Sequence, residues 1–390
     1  MAKTLLAKGV EVEVLTGKPN YPAGKIFPGF QSLRCQKQTW QGVMITRIPI
    51  LARGRGGWRL SLNYLSFVIS GLLLAPWMFR NKKFEVIFIY GVSPILQAIP
   101  AIFLGWLKKC PIILWVQDLW PESLSATGYI KNQFVIDQVG KAVQFIYRHV
   151  DLLLVQSRAF ENPVSAMSSG TPIHYYPNSV DDVFLSPASQ VSVKISGLGE
   201  GFSILFTGNI GTAQAVEVIV EAAFLLSEFP EINFIVMGDG SRRDWMLDEV
   251  QRRNMTNLYL PGRFPVEMMP AFMQSASALL VTLADQPIFS KTVPNKIQAY
   301  MASGKPIIAC MNGEGARLVL ESNSGLVTPA EKAKELADTI LRLYKMDPVE
   351  RDLLGKNGRR YYQEHFNHNR LVDQLIGHFN SLSSPVQEAH

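Results

Sequence analysis

The sequence predicts an α/β protein made of two doubly wound domains. Short apolar, β-branched runs alternate with helical patterns along most of the chain, which is typical of parallel sheets covered by helices on both faces. The strand signals form two sets, separated by residues 182–201, a stretch rich in Ser, Gly and Pro. With 390 residues, of which 47% are hydrophobic, the chain is long enough for two cores.

The strands of both sets are predicted from short apolar runs. The N-terminal set covers residues 10–16, 43–50, 85–91, 111–118 and 151–157, and the C-terminal set covers 203–207, 233–237, 258–260, 278–282, 306–310 and 325–327. Helical patterns lie between most of these runs, for example at 215–229, 241–253, 265–275 and 330–345, and one long helix is expected at 352–379.

The domain boundaries follow from these patterns. We predict an N-terminal domain at 1–182, a C-terminal domain at 183–365, and a last segment, 366–390, that packs back on the N-terminal domain. Residues 1–9 have the pattern of a helix that ends in a glycine, and they precede the first predicted strand. Because a doubly wound domain normally opens with a strand and its glycine turn, this N-terminal domain is expected to lack its first strand.

The chain is basic, with a net charge of +6. Such a balance suits nucleic acid, an anionic membrane surface or an anionic substrate. We expect no nucleic acid partner, because residues 53–59 form the only marked Lys/Arg run. The three cysteines lie far apart and no Cys or carboxylate cluster has ligand spacing, so we expect neither a metal nor a disulfide framework.

Residues 60–79 are uncharged over a length that could span a bilayer. The segment contains Asn63, Gly71 and Pro76, and basic residues flank it on both sides, among them Arg55 and Arg80. Basic residues on both sides remove the asymmetry that orients a spanning helix. Three interpretations stay open: a membrane-spanning helix, an ordinary buried helix, and a helix that lies on an anionic membrane surface.

Three glycine turns follow predicted strands of the C-terminal domain, at 208–211, 238–240 and 262–263. Glycines let backbone N–H groups approach an anion, and a helix N-terminus adds positive charge. Open α/β sheets bind ligands at the carboxyl ends of their strands, so the three turns together predict a diphosphate site, although each alone is also an ordinary connection. The candidate contacts in these turns are Gly208, Asn209, Ile210, Gly211, Gly238, Asp239 and Arg263.

A basic segment at 290–296 can supply side-chain charge to that site. It follows a strand end and precedes a helix. Lys291 and Lys296 can meet phosphate as point charges, and Thr292 and Pro294 are candidate contacts beside them. The alternative is a solvated basic loop in front of a helix.

Two carboxylates and two indoles lie at the end of the fourth predicted strand. Asp118 or Glu122 could act as a base or as an electrostatic stabiliser, and Trp115 and Trp120 could stack on the face of a sugar. The alternative is a helix N-terminus, at which Glu122 after Pro121 complements the helix dipole.

As a set in this order, the motifs resemble those of the family four glycosyltransferases with the GT-B fold. Within that family they are similar to the bacterial branch that makes O-antigen or capsule and includes fucosamine transferases. The resemblance covers nearly the whole chain. It rests on residues 14–17 (VLTG), 19–22 (PNYP), 118–122 (DLWPE), 177–181 (PNSVD), 208–211 (GNIG), 238–240 (GDG), 262–263 (GR), 293–296 (VPNK) and 302–306 (ASGKP).

The resemblance implies two Rossmann-like domains that face each other across a cleft. It implies a UDP-sugar donor bound by the C-terminal domain, and transfer with retention of configuration by a hexosyltransferase-type enzyme that uses neither a metal nor a cofactor. Backbone amides together with Lys291, Lys296 and Arg263 would then meet the diphosphate charge. The acceptor in this branch is usually a saccharide on polyprenyl diphosphate, which implies a cytoplasmic enzyme on the inner face of the cell membrane.

The chain departs from the family pattern at four positions. Lys291 and Ala299 stand where many members have glutamates, so the carboxylate that grips the ribose is absent. Asn209 and Gln214 stand where many members have Arg and Lys.

For the activity, we expect transfer of an N-acetylated amino or deoxyamino sugar, such as N-acetylfucosamine, in cell-surface polysaccharide synthesis. The alternatives are a UDP-sugar 2-epimerase on the same fold and a degenerate, non-catalytic relative that serves as a membrane assembly subunit.

Overall fold

The computed structural model describes residues 1–21, 24–31, 33–54, 56–126, 132–180, 182–185 and 193–383. Pro22 and Asp181 of the predicted motifs and Arg55 of the basic flank lie outside the described residues. The chain divides into two compact units. Unit 1 comprises Met1–Tyr176 and Asn369–His390, and unit 2 comprises Pro177–His368.

Strands and helices alternate through the described residues. The strands are β1 (Glu13–Gly17), β2 (Gln36–Trp40), β3 (Val43–Ile48), β4 (Ile87–Gly91), β5 (Ile112–Val116), β6 (Leu152–Val155), β7 (Ile173–Tyr175), β8 (Phe202–Asn209), β9 (Ile232–Asp239), β10 (Leu258–Gly262), β11 (Ala278–Thr282), β12 (Ile307–Cys310) and β13 (Gly325–Thr328). The helices are α1 (Ala2–Ala7), α2 (Gly57–Met78), α3 (Ala98–Lys108), α4 (Glu122–Ala126), α5 (Gln133–Arg148), α6 (Glu161–Ser168), α7 (Glu217–Leu225), α8 (Arg243–Arg252), α9 (Met269–Ser275), α10 (Pro287–Lys291), α11 (Asn295–Ser303), α12 (Glu314–Glu321), α13 (Ala333–Lys345), α14 (Pro348–His365) and α15 (His368–Ser383).

Unit 2 contains a six-stranded parallel sheet in the order β10-β9-β8-β11-β12-β13. Its central strands are buried on both faces, which explains why they form continuous apolar runs in the sequence. The chain leaves β8 toward one edge of the sheet and returns through β11 toward the other. The sheet therefore has a topological switch point between the carboxyl ends of β8 and β11, where doubly wound sheets bind ligands.

Unit 1 contains two sheets among its described residues. Strands β4, β5, β6 and β7 form a parallel sheet in that order, while β1 pairs parallel to β3 and β2 pairs antiparallel to β3. Helix α15 packs on the parallel sheet through Leu371, Val372, Leu375 and Phe379. Parallel sheets in two α/β units confirm the predicted fold class.

The single long helix predicted at 352–379 is wrong, because two helices, α14 and α15, occupy that range. The Phe366 N–H closes the last turn of α14 on the Tyr362 carbonyl at 2.8 Å, and the Phe366 ring is buried in a core cluster of unit 2. Leu371 and Val372 of α15 belong to the core of unit 1 instead. The chain breaks its helix where it passes from one core to the other.

Helix α2 is the one described helix that is long and apolar enough to cross a membrane, with 22 residues and a mean hydropathy of 1.4. Only 11% of its apolar window is buried within the structure. The interpretation of this segment as an ordinary buried helix is therefore wrong.

Candidate functional site

The first two glycine turns pack directly on one another at the ends of β8 and β9. Gly208 lies opposite Gly238 in the sheet register, and the Ile210 N–H donates to the Asp239 carbonyl at 2.9 Å. A Cβ on Gly238 would lie 1.8 Å from the Gly208 carbonyl oxygen, and the φ of Gly238 is +149°. The two turns approach so closely that only glycine fits at position 238.

The helix predicted at 215–229 is present as α7, Glu217–Leu225, and begins two residues later than predicted. Gly211 is followed by a short 3₁₀ turn, Thr212–Gln214, and α7 begins only at Glu217. The Glu217 carboxylate occupies the first turn of α7 and pairs with Arg242 at 2.5 Å. Because the positive end of α7 already has an anionic partner from its own chain, the helix dipole predicted for this loop is not the main attraction for a ligand.

The loop between β8 and α7 nevertheless presents backbone donors. Among the described residues, the N–H groups of Gly211, Thr212 and Ala213 have no hydrogen-bond acceptor. The loop is fixed to the end of β11, since the Ala284 N–H donates to the Ala213 carbonyl at 3.0 Å and the Thr282 hydroxyl donates to the Gln214 carbonyl. Successive N–H groups in a fixed turn form a concavity that binds anions.

Lys296 reaches the first glycine turn from the opening turn of α11. A Cβ on Gly208 would lie 2.9 Å from the Lys296 Cε and 3.4 Å from its Nζ. The Nζ lies 3.6 Å from the centroid of the Phe206 ring, in cation–π contact. The glycine at 208 thus leaves the space that the lysine occupies, and the lysine lies at the predicted phosphate site.

The ammonium group of Lys296 is buried and has no hydrogen-bond partner in the described part of the chain. The residue as a whole is half-buried, and its Nζ is fully enclosed. Burial lowers the pKa of Lys296 from its ordinary value of 10.5 to about 7. A buried ammonium without an acceptor is unfavourable until an anion pairs with it, and the Gly208 turn is the surface that it faces.

A buried tyrosine holds α11 against the end of β8 and so positions Lys296. The Tyr300 hydroxyl accepts from the Thr207 N–H at 3.1 Å and donates to the Leu280 carbonyl of β11 at 3.3 Å. These contacts link α11 to the two strands that flank the switch point. Sequence reasoning missed Tyr300, because an aromatic residue inside a helix is ordinarily part of a core.

The other predicted donor contacts lie around this centre. Lys291 is the last residue of α10, so the alternative interpretation, a solvated basic loop over 290–296, is wrong at this position. The Thr292 hydroxyl is occupied, since it donates to the Ile288 carbonyl at 3.0 Å. Pro294 is the N-cap of α11, and Arg263 is exposed beyond β10. Roles for these four residues in donor binding stay predictions.

Asp239, Arg242 and Gln298 complete the polar groups near the turns and on α11. Asp239 accepts a hydrogen bond from the Gly240 N–H at 2.8 Å and so caps its own turn. The Arg242 N–H donates to the Ile210 carbonyl at 2.9 Å. Gln298 is 1% exposed, and both of its amide atoms lack a partner among the described residues. No sequence motif pointed to Arg242 or Gln298.

The structure shows the surroundings of the positions at which the chain departs from the family pattern. Ala299 is buried in a core cluster of unit 2, so no side-chain carboxylate is present there. Asn209 donates to the Gln214 side-chain oxygen at 2.8 Å, so the two neutral residues bond to each other across the loop. Of the groups predicted to bind phosphate, Lys296 is the one whose charge the structure places against the first turn.

In unit 1, Asp118 and Glu122 lie after β5, and Glu122 is the first residue of α4, as the helix-start alternative predicts. Burial raises the pKa of Asp118, which is half-buried, whereas Glu122 is exposed. The buried Tyr147 hydroxyl has no partner among the described residues, and burial, followed by the charges of Glu122 and Asp118, raises its pKa. These shifts place Tyr147 in the field of both carboxylates.

The prediction that two indoles stack on a sugar is wrong. Trp115 and Trp120 are each 4% exposed, so neither presents a ring face to a ligand. The Trp115 indole N–H donates to the Tyr176 carbonyl at 2.9 Å, and its ring packs on Tyr90 and Tyr176. Trp115 therefore fills the core of unit 1.

Two family models match the chain, one after the other. Residues 1–179 match the family described as "Glycosyl transferase 4-like domain", and residues 201–346 match the family described as "Glycosyl transferases group 1".

Curated relatives cover most of the chain. "Probable glycosyltransferase WbjE" of Pseudomonas aeruginosa is 25% identical over 80% of this chain and 78% of the relative. WcaI of Escherichia coli (strain K12), which bears a provisional name as a colanic acid biosynthesis glycosyl transferase, is 23% identical over 78% of this chain and 76% of the relative. The 2-deoxystreptamine N-acetyl-D-glucosaminyltransferase of Niallia circulans is 20% identical over 90% of this chain and 88% of the relative.

Solved glycosyltransferase structures share the fold. Sucrose-phosphate synthase from Thermosynechococcus elongatus superposes with a TM-score of 0.73 at 17% identity, covering 98% of this chain and 91% of that one. HepE of Anabaena, solved in complex with UDP, superposes with a TM-score of 0.69 at 12% identity, covering 95% of this chain and 100% of that one. The chain therefore contains a GT4-like domain followed by a group 1 glycosyltransferase domain, and it has the GT-B glycosyltransferase fold.

Proposed function

We propose that this glycosyltransferase moves a sugar, with retention of configuration, from a UDP-sugar to a lipid-linked saccharide. The observation that carries the proposal is the buried, unpartnered ammonium of Lys296 against the Gly208 turn. A nucleoside diphosphate supplies the anion that this ammonium lacks, and the N–H groups of Gly211, Thr212 and Ala213 supply donors for its remaining oxygens.

The same groups would lower the barrier to transfer. As the bond from the sugar C1 to the diphosphate breaks, its electron pair passes to the departing phosphate oxygen. The acceptor oxygen bonds to C1 on the same face, and its proton passes to the departing phosphate. The negative charge on the diphosphate grows during this step, so a fixed cation such as Lys296 stabilises the transition state more than the ground state. In this proposal the chain's own groups meet the charge, without a metal or cofactor.

The names of relatives support the choice of donor and pathway. HepE was solved with UDP, and a trehalose-6-phosphate enzyme of Escherichia coli was solved with UDP-2-fluoro glucose. The relative from Niallia circulans is named for transfer of N-acetylglucosamine, and WcaI is named for colanic acid biosynthesis. We therefore propose an N-acetylated amino or deoxyamino hexose, such as N-acetylfucosamine, and a role in bacterial cell-surface polysaccharide synthesis.

The acceptor is proposed to be a saccharide on polyprenyl diphosphate, used at the cytoplasmic face of the cell membrane. Asp118 is the proposed catalytic carboxylate of unit 1, with Glu122 as the alternative. The raised pKa of Asp118 favours it, because burial removes water from the carboxylate and makes it a stronger electrostatic partner for positive charge at the reacting sugar than an exposed carboxylate is.

One experiment tests the proposal directly. The purified chain is incubated with a panel of UDP-sugars and a polyprenyl-linked saccharide, and the products are identified by mass, with Lys296→Met as the variant. We expect one sugar added to the acceptor by the native chain, and at least about tenfold less product from the variant. A new epimer formed without acceptor would show the epimerase instead. If the native chain does not bind UDP even at millimolar concentration, it is a non-catalytic relative.

A further inference from the structure

Helix α2 presents an apolar stripe along its whole outer face. The large apolar side chains that are exposed on it recur every three or four residues and fall on one side of the helix. They are Trp58 (66% exposed), Leu62 (40%), Leu65 (49%), Ile69 (56%), Leu73 (71%) and Trp77 (65%). The stripe runs for roughly 28 Å along the helix axis and has an indole near each end.

The opposite face of α2 is fixed to the rest of unit 1. A Cβ on Gly71 would lie 2.7 Å from the Pro100 Cβ, so α2 and α3 meet in close contact there. Asn63 is buried and donates to the Leu51 carbonyl, and Ala75 belongs to a core cluster with Leu104 of α3. A membrane-spanning orientation would have to break these contacts, whereas an orientation parallel to a surface leaves them intact.

The neighbouring helix α3 also exposes large apolar side chains. Phe103 and Trp106 stack with ring centroids 6.1 Å apart, and Trp106 is 72% exposed. The Lys108 ammonium donates to the carbonyls of Arg80 and Lys82 at 3.0 and 2.8 Å, which ties the end of α3 to the segment after α2. The two helices therefore form one fixed part of unit 1.

A guanidinium group lies beside the stripe near each of its ends. The guanidinium of Arg59 lies over the Trp58 ring at 5.3 Å, and that of Arg80 lies over the Trp77 ring at 5.0 Å. Residues 14–117 contain thirteen Lys and Arg and a single carboxylate, Glu85. Since the whole chain has a net charge of +6, the remaining residues carry −6. The net positive charge is therefore concentrated in the part of the sequence that contains both helices.

We infer that the α2 stripe is a docking surface for an anionic lipid bilayer, on which α2 lies parallel to the membrane plane. Interfacial indoles, an apolar helix face and adjacent Arg and Lys are the combination that binds the boundary between lipid headgroups and acyl chains. This inference deepens the proposed function, since it names the surface that brings the enzyme to a lipid-linked acceptor. It rests on that proposal only for the identity of the acceptor.

The test is co-sedimentation of the full chain with lipid vesicles, without nucleotide sugar. We expect binding to vesicles that contain phosphatidylglycerol, weaker binding to pure phosphatidylcholine, and release by high salt or alkaline carbonate. The variant Ile69→Glu/Leu73→Glu should lose about tenfold or more in affinity. The matched control, Val349→Glu/Leu353→Glu, changes residues at the same spacing on α14 that are 77% and 53% exposed, and it should bind like the native chain.

Equal binding by the native chain and the α2 variant would overturn the inference, as would retention in the membrane after carbonate treatment, which marks a spanning helix. A native dimer that dissociates in the α2 variant, with no vesicle binding, would assign the stripe to a second copy instead. Transfer to a water-soluble saccharide acceptor, assayed without vesicles, tests the proposed function separately. Each idea can therefore fail while the other stands.

Discussion

Binding of UDP should be coupled to proton uptake by Lys296. In the free chain the ammonium is buried without a partner, and its pKa is lowered to about 7. At pH 8 roughly one tenth of the molecules then carry the proton at this site. A bound diphosphate favours the ammonium and raises its pKa, so UDP binding at pH 8 should take up about 0.9 proton per site.

Isothermal titration calorimetry measures this uptake. The binding enthalpy is compared at pH 8 in two buffers that differ in protonation enthalpy, and the slope gives the number of protons. UDP affinity should also fall by about tenfold per pH unit above pH 7, until the pKa of the bound state is reached. Lys296→Met should bind more weakly at pH 7, with no proton uptake and no such slope. Tight binding by the native chain without a buffer-dependent enthalpy would refute the reasoning.

The same shift has a consequence for the stability of the free chain. Because the folded-state pKa of Lys296 lies below that of the unfolded chain, the unfolded chain binds more protons between pH 7 and 10.5, and the unfolding free energy should rise with pH across that window. The buried lysine costs up to about 5 kcal/mol at pH 7, so Lys296→Met should raise the unfolding free energy there. Chemical denaturation of both proteins at pH 7 and pH 10 measures the difference.

Three further substitutions probe the same site and the carboxylate of unit 1. Gly208→Ala should weaken UDP binding by about tenfold, because a Cβ would lie 2.9 Å from the Lys296 Cε. The matched control is Gly170→Ala, at a φ of +98° with nothing within 4 Å of the added Cβ. Equal UDP affinity in the two variants would contradict this prediction. Tyr300→Phe leaves the buried Thr207 N–H without its acceptor and should lower the unfolding free energy by about 1–3 kcal/mol; an unchanged denaturation midpoint would contradict this. Asp118→Asn should cut turnover by about a hundredfold with UDP affinity and fold unchanged, and native turnover would remove Asp118 from the chemistry.

Sequence patterns predicted the strands whose surroundings in the fold restrict the residue types along them. Strands β8, β9, β11 and β12 are covered by helices on both faces, so their residues form continuous apolar runs. Strand β2 reads Gln-Lys-Gln-Thr-Trp and was missed, because an antiparallel edge strand with half-buried and exposed residues has no such run. Strand β7 was missed because it spans only three residues, Ile173–Tyr175.

By itself, the sequence determined the fold class, the glycine turns at the strand ends and the position of Lys296 at a helix start, since all of these follow from residue type and spacing. The tertiary structure alone decided that the Lys296 ammonium is buried over Phe206 and beside Gly208, because α11 crosses the end of β8 and Tyr300 holds it there. It also decided that Glu217 occupies the start of α7, and that Trp115 and Trp120 are buried while Trp58 and Trp77 are exposed. The exposure of a side chain and its pairing partners are set by residues far apart in the chain, so local sequence patterns do not predict them.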